Sequence, residues 1–357
     1  MRMCEGFAQA GCAVTLVARH GSDGRGLTPA EFYGTSPDVR LEFVAQYPTP
    51  VGRLLYSWAG ALRSRRAGAN WAFGRDLGGC YFAARLGIPV AYETHAPASV
   101  LRGANRVMFH QLIRHANFRK LVVITQTLKT TYEQEFRLPA NRILVLPDAA
   151  TAPASDVRTA DVHTRPQSGR LSVGYVGHLY PGKGMKIIAA LAPHCEWADF
   201  HVIGGRDEDL RLWRNHCKGQ ENIRFHGFVP HGQISAYLAG FDVVLGPLQE
   251  RVTIEGKGNI ATFMSPLKLF EYMAARKAIL CSDLPVLHEV MRHDDNCLLV
   301  PATDVEAWCA ALLRLRDDAG LRARLASNAY RDFRRSYTWR ARANRILAAL
   351  QNVGITG

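Results

Sequence analysis

The chain has 357 residues, enough for two domains at roughly 100–200 residues each, and its 48% hydrophobic and 21% charged fractions are ordinary for a soluble globular protein. That composition excludes a disordered chain, a collagen-like repeat and a disulfide-stapled miniprotein. Lysine and arginine total 44 against 31 aspartate and glutamate, and the net charge of +13 favours an anionic partner: a phosphate-rich substrate, a nucleic acid or an acidic membrane surface.

The first half alternates short apolar runs with helical stretches. A helix over 1–10 leads into a strand at Val14–Ala18. Further strands are expected at Arg40–Val44, Val90–Tyr92, Leu121–Ile124 and Ile143–Leu146, with helices at Ser99–Arg119 and Gln126–Glu135. Runs of this length separated by helices are the pattern of buried parallel strands joined by crossovers. A doubly wound domain ordinarily opens on a strand and a glycine-rich turn. Neither precedes the first helix, so the first strand of the N-terminal domain is read as missing. Residues 151–169, rich in Ala, Thr, Asp and Pro, read as a linker. A second series follows. Strands are expected at Leu171–Val176, Phe200–Ile203, Ile223–His226, Val243–Leu245, Ala278–Cys281 and Cys297–Val300. Helices are expected at Lys186–Ala192, Arg206–His216, Ile234–Ala239, Leu267–Arg276, Val286–Met291, Val305–Leu315, Gly320–Ala329 and Trp339–Gln351. The fold class is therefore α/β, with two Rossmann-like doubly wound domains at 1–150 and 170–335 and a C-terminal segment at 336–357.

The eight cysteines are scattered, with no Cys-x-x-Cys pair and no metal-ligand spacing, which points to a reducing compartment and no metal site. No apolar run reaches the about 18 residues of a membrane span, and residues 1–11 are too short and polar for a signal peptide. A cytoplasmic protein is expected, peripheral to the inner membrane face at most.

Three segments carry chemistry. Gly174-Tyr-Val-Gly-His-Leu-Tyr-Pro-Gly-Lys-Gly184 runs from a strand into a glycine-rich loop with one lysine and then a helix. Glycine lets backbone approach an anion, and Lys183 adds a point charge. It is not a Walker A loop, because no Gly-Lys-Ser/Thr ends it; an ordinary tight turn is the plain alternative. In Ser265-Pro-Leu-Lys-Leu-Phe-Glu-Tyr-Met-Ala274, Ser265 reads as an N-cap with Pro266 at the first helical position. Amides at 265–267 would then face an anion. Lys268 and Glu271 share a helix face, where a surface ion pair is the alternative. Tyr92-Glu-Thr-His95 ends a strand, where ligands of open sheets bind; a structural histidine is the alternative there.

These segments, with Gly74-Arg-Asp-Leu77, Gly87-Ile-Pro-Val-Ala-Tyr-Glu-Thr-His95, Val145-Leu-Pro-Asp148, Ile203-Gly-Gly205, Phe225-His-Gly-Phe-Val229 and Ser282-Asp-Leu-Pro-Val-Leu-His-Glu-Val290, resemble the family 4 glycosyltransferases over nearly the whole chain. The resemblance implies a two-Rossmann B-type fold facing a cleft, with an acceptor-binding first domain, a donor-binding second domain and a last helix that crosses back to the first. It implies retaining transfer from a UDP- or GDP-sugar to a hydroxyl of a glycan or lipid-linked acceptor, with no metal and no cofactor besides the donor. Lys183 matches the lysine on the diphosphate, and His178 stands where many relatives have an arginine. Gly177 and Gly184 belong to that loop. Glu271 matches the glutamate on the ribose hydroxyls, and Phe263 stands where a donor-sugar glutamate is frequent. Lys268 adds charge beside Ser265, Pro266 and Leu267. Gly227, Phe228 and Val229 match the loop at the base, and His95 matches a histidine near donor sugar and acceptor. The alternative is a non-catalytic or epimerase-like nucleotide-sugar-binding protein. Arg53, Arg63, Arg65 and Arg66 near Leu54, Leu55, Tyr56 and Trp58 read as either an anionic-membrane contact or a solvated basic face. No helix-turn-helix, RNP or zinc-finger signature supports nucleic-acid binding.

Overall fold

A computed structural model of the chain describes residues 1–19, 39–45, 49–152, 169–254 and 258–351. Most of the expected linker, residues 153–168, lies outside the described residues. The chain divides into two compact units, Met1–Pro147 with Trp339–Gly357, and Asp148–Thr338.

The first unit runs α1 (Arg2–Gln9), β1 (Thr15–Arg19), β2 (Arg40–Val44), α2 (Pro50–Arg66), β3 (Ala72–Gly74), α3 (Leu77–Arg85), β4 (Val90–Thr94), α4 (Gly103–Arg114), β5 (Phe118–Val123), α5 (Gln126–Phe136) and β6 (Ile143–Val145). β1 and β2 pair in parallel, and β3-β4-β5-β6 form a second parallel sheet in sequential order. Helices α2 and α3 start on side-chain caps. Thr49 accepts from the Gly52 amide at 3.0 Å with Pro50 opening α2, and Asp76 accepts from the Gly79 amide at 2.7 Å at α3. All five residues of β4 are buried.

The expected helix over Ser99–Arg119 is shorter and is followed by a strand. A 3₁₀ turn at Ala98–Val100 precedes α4, and β5 begins at Phe118. Extended Arg102 and the positive φ of Gly103 separate turn from helix, and extended His115 ends α4. The expected helix Val286–Met291 is a 3₁₀ turn, Pro285–Glu289.

The second unit runs β7 (Leu171–Val176), α6 (Met185–Leu191), β8 (Ala198–Ile203), α7 (Asp207–His216), β9 (Ile223–Gly227), α8 (His231–Ala239), β10 (Val243–Gly246), an antiparallel pair β11 (Thr253–Ile254) and β12 (Gly258–Asn259), α9 (Leu267–Ala274), β13 (Ala278–Ser282), β14 (Leu298–Val300), α10 (Val305–Asp317) and α11 (Ala319–Ser336). Its main sheet is parallel in the order β14-β13-β10-β7-β8-β9. This is the doubly wound order, and the winding reverses between β7 and β10, where such sheets bind ligands beyond their carboxyl ends. Alternate strand residues feed two cores. Val173, Tyr175, Val243, Leu245 and Leu280 pack with Trp308 and Leu312 on one face. Val176, Val244, Ile279 and Cys281 pack with Phe270, Met273 and Phe333 on the other. The last helix, α12 (Trp339–Gln351), belongs to the first unit, where Ala343, Ile346 and Leu350 pack with Phe7, Ala91, Val122 and Leu146.

One core residue makes stability pH-dependent. His201 on β8 is 1% exposed, with Nδ1 3.0 Å from Nε2 of His226. Burial, then the charges of His226 and Arg224, push its imidazole from 6.5 down to about 4. The unfolded chain therefore takes up this proton first. The stability held by the neutral ring is full above about pH 6.5 and lost as pH falls toward 4. Urea midpoints are expected to drop across that window, and His201→Gln to flatten the drop.

Candidate functional site

The loop after β7 is closed in by its neighbours. The Gly177 amide donates to the Ile203 carbonyl at 2.9 Å and extends the β7–β8 ladder. A Cβ on Gly177 would stand 2.9 Å from Nζ of Lys268 and 3.1 Å from the Tyr175 hydroxyl. Further along, the Gly182 carbonyl accepts from the Gln249 amide at 3.1 Å. Gly184 has φ +100, and a Cβ there would meet the Pro247 carbonyl oxygen at 2.1 Å. The loops after β7 and β10 thus pack backbone to backbone at the point where the sheet reverses its winding.

Cations gather around this loop. Lys268, in the first turn of α9, holds Nζ 4.0 Å from the centroid of the Tyr175 ring. That nitrogen is shut off from solvent and makes no hydrogen bond to a described residue. Burial, then the charge of Lys183, lowers its pKa well below the ordinary lysine value, while Glu271 opposes the shift. Lys183 is half-buried 5.3 Å over Tyr180, and its pKa is lowered by burial. Desolvation and the charges of Lys183, Arg206 and Lys268 push His178 down, against Asp209. His178 is thus a neutral ring among cations at neutral pH. Arg206, at the start of α7 after Gly204-Gly205, was not among the residues singled out from the sequence. A basic residue directly behind a glycine pair at a strand end was the available signal.

The start of α9 differs from expectation. Pro266 is the N-cap, the helix begins at Leu267, and no side chain caps it. The Ser265 hydroxyl instead accepts from the Asp148 amide at 2.9 Å, so it is not free to cap. Proline has no N–H, and the amides opening the helix are those of Leu267 and Lys268. Glu271, one turn further, lies 3.8 Å from Nδ1 of His231 at the start of α8. His231 is a second residue that sequence reasoning missed. The preceding turn holds Gly227, whose carbonyl accepts from the Gly204 amide at 2.7 Å, then exposed Phe228 and half-buried Val229. Phe263 is buried. In this unit Gly177, His178, Lys183, Gly184, Lys268 and Glu271 share one neighbourhood, and His231 ties Glu271 to the element that follows the Gly227–Val229 turn.

His95 lies in the first unit, just past β4. Its Nε2 is 2.8 Å from Oε1 of Glu93, a carboxylate that is 4% exposed. Burial opposes the charge on Glu93, but Arg342 and His95 overcome it and hold its pKa down at about 2.

A chain with two parallel α/β units, one of them doubly wound around a cationic, glycine-lined loop, has the GT-B glycosyltransferase fold. Solved structures sharing it include a glycosyltransferase from Rickettsia africae, with TM-score 0.73 and 12% identity over 100% of this chain and 94% of that one. Anabaena HepE, solved in complex with UDP, has TM-score 0.70 and 15% identity over 98% and 96%. The chain belongs to the family 4 and group 1 glycosyltransferases: the model for Glycosyltransferase Family 4 matches residues 1–149, and that for Glycosyl transferases group 1 matches residues 170–318. It is similar to the phosphatidyl-myo-inositol mannosyltransferase of Mycolicibacterium smegmatis, 27% identical over 197 residues, 54% of this chain and 47% of that protein. The chain spans about half the length of the curated relatives it matches.

Proposed function

We propose that the chain is a retaining glycosyltransferase that moves a sugar from a UDP- or GDP-sugar to a hydroxyl of a glycan or lipid-linked acceptor. The observation that carries this reading is the desolvated side-chain nitrogen of Lys268, without an acceptor among the described residues, beside Lys183 on a glycine-lined loop. In the proposed reaction the bond from sugar C1 to the β-phosphate oxygen breaks, and its electron pair stays on that oxygen. The acceptor hydroxyl forms the new bond to C1 on the same face and passes its proton to the departing phosphate. Lys183 and Lys268 meet the charge that builds on the diphosphate. Glu271 takes the ribose hydroxyls, Gly227–Val229 the base, and His95 the sugar. The UDP held by HepE supports a nucleoside diphosphate here. The donor is the only cosubstrate in this reading.

A thermal-shift panel of UDP- and GDP-sugars followed by product analysis tests it, because a ligand that binds only the folded state raises stability. Transfer that depends on an acceptor is the expected result. Donor bound without turnover identifies a binding protein, and a changed sugar without an acceptor identifies an epimerase. Glu271→Ala is expected to raise the donor KM about tenfold, the loss of one hydrogen bond to a charged group, with a smaller change in kcat. A donor KM and turnover equal to wild type would refute the role of Glu271.

The lipid-linked acceptor draws support from the curated relatives' names and from α2. That helix exposes Val51, Leu54, Leu55 and Trp58 together with Arg53, Arg63, Arg65 and Arg66. Arg63 and Arg65 also donate to the Phe43 and Leu86 carbonyls through Nη1, which holds one nitrogen of each guanidinium in place. No helix among the described residues is long and apolar enough to cross a membrane. In our reading α2 lies on an anionic lipid surface, apolar side chains inserted and arginines at the headgroups. Binding to phosphatidylglycerol vesicles, weakened by salt and by Leu54→Asp/Trp58→Asp, is expected. Equal binding to phosphatidylcholine vesicles, or none, rejects it.

A further inference from the structure

The carboxylate behind His95 has its own support. Oε2 of Glu93 lies 2.7 Å from Nη2 of Arg342 on α12, and the two side chains are 4% and 2% exposed. Arg342 is itself fixed. Its Nε donates to the Pro147 carbonyl at 2.9 Å, its Nη2 to the Leu146 carbonyl at 3.2 Å, and its Nη1 reaches Sδ of Met3 at 3.2 Å. A buried guanidinium tied to main-chain oxygens at the end of β6 therefore holds the carboxylate at the end of β4. The exposed Arg75 is more remote, with Nε 3.9 Å from Oε1 of Glu93.

We propose that Arg342 is a positioning residue: through Glu93 it fixes His95 with Nε2–H donated to the carboxylate, leaving Nδ1 as the ring atom that accepts from a substrate hydroxyl. An ionised carboxylate only accepts, so the nitrogen 2.8 Å from it carries the proton. The second ring nitrogen of a neutral imidazole then has only a lone pair to offer, and its direction is set by the bond the first one makes. An arginine on the last helix is needed because a lone carboxylate in this apolar setting would take up a proton, and a carboxylic acid could donate to the ring and reverse the arrangement. The inference rests on the reading of His95 as a substrate-facing residue.

The test uses the full chain labelled with ¹⁵N-histidine, with His95→Gln to assign the ring. A one-bond Nε2–H correlation, shifted downfield and slow to exchange with solvent, is expected in the wild type. Arg342→Met is expected to lose it and to lower kcat for transfer about a hundredfold, the size of an orientation defect, with the donor KM near its original value. Arg342→Lys should recover part of both. Because Arg342→Met strands a buried carboxylate, the double variant Glu93→Leu/Arg342→Met, which leaves no charge there, serves as the folded comparison and should share the lost resonance and low kcat. An Nδ1–H correlation in the wild type, no protected ring proton, or wild-type kcat in the double variant overturns the proposal. Undiminished transfer by His95→Gln would instead overturn the substrate-facing role itself, and the resonance would still decide the geometry.

Discussion

Lys268→Met is expected to leave the protein at least as stable as wild type while lowering kcat for sugar transfer about 10²–10³-fold, the usual effect of deleting one preorganised charge-stabilising group. The two readouts move apart for one reason. In the folded protein without ligand, Nζ of Lys268 is desolvated and has no hydrogen bond to a described residue, so the side chain is an electrostatic burden there. Methionine fills similar volume against Tyr175 and Gly177 with no charge to desolvate, and replacing buried charges by apolar groups is frequently neutral or stabilising. In the proposed reading the donor's diphosphate offsets the burial. Thermal melting and transfer rates measured on the same preparation check the prediction. A variant that melts lower yet transfers normally would show that Lys268 serves the fold and not the donor.

Gly184→Ala should be among the most damaging small substitutions in the second unit. Its φ of +100 is strained for any L side chain, and the new methyl would meet the Pro247 carbonyl oxygen at 2.1 Å, backbone that has no rotamer to yield. We expect a loss of about 2–4 kcal/mol and weakened donor binding, because the loops after β7 and β10 must separate. Gly232→Ala is the matched comparison. It lies in α8 with nothing within 4 Å of the new methyl, and it should be neutral or slightly stabilising. Urea denaturation of both variants, with UDP binding read by calorimetry, tests the pair. Similar midpoints for the two would mean that the loop can shift to admit a side chain.

The second unit was legible because its strands are buried on both faces. Leu171–Val176, broken only by Ser172 and Gly174, and Ala278–Cys281 read as nearly continuous apolar runs, and the helices between them keep their spacing. The first unit was less so. β3 is only three residues long, and α2 turns Val51, Leu54, Leu55 and Trp58 outward, so neither shows the pattern of a core-facing element. At the site, glycines and lysines announced themselves by type. What stayed hidden were partners set by tertiary distance: Asp148 taking the Ser265 hydroxyl, His231 beside Glu271, and Arg342 behind Glu93. The last pair is separated by most of the chain, and no local spacing encodes it.

The position of α12 bears on the order of events at the ribosome. Asp148–Thr338 is continuous, so the inner unit can condense as soon as it emerges, while the amino-terminal unit waits with Phe7, Ala91 and Val122 uncovered until residues 339–351 are translated. The stretch made first is thus the last to close, and a nascent chain stalled before Trp339 would offer chaperones an open apolar groove in one half and a finished body in the other.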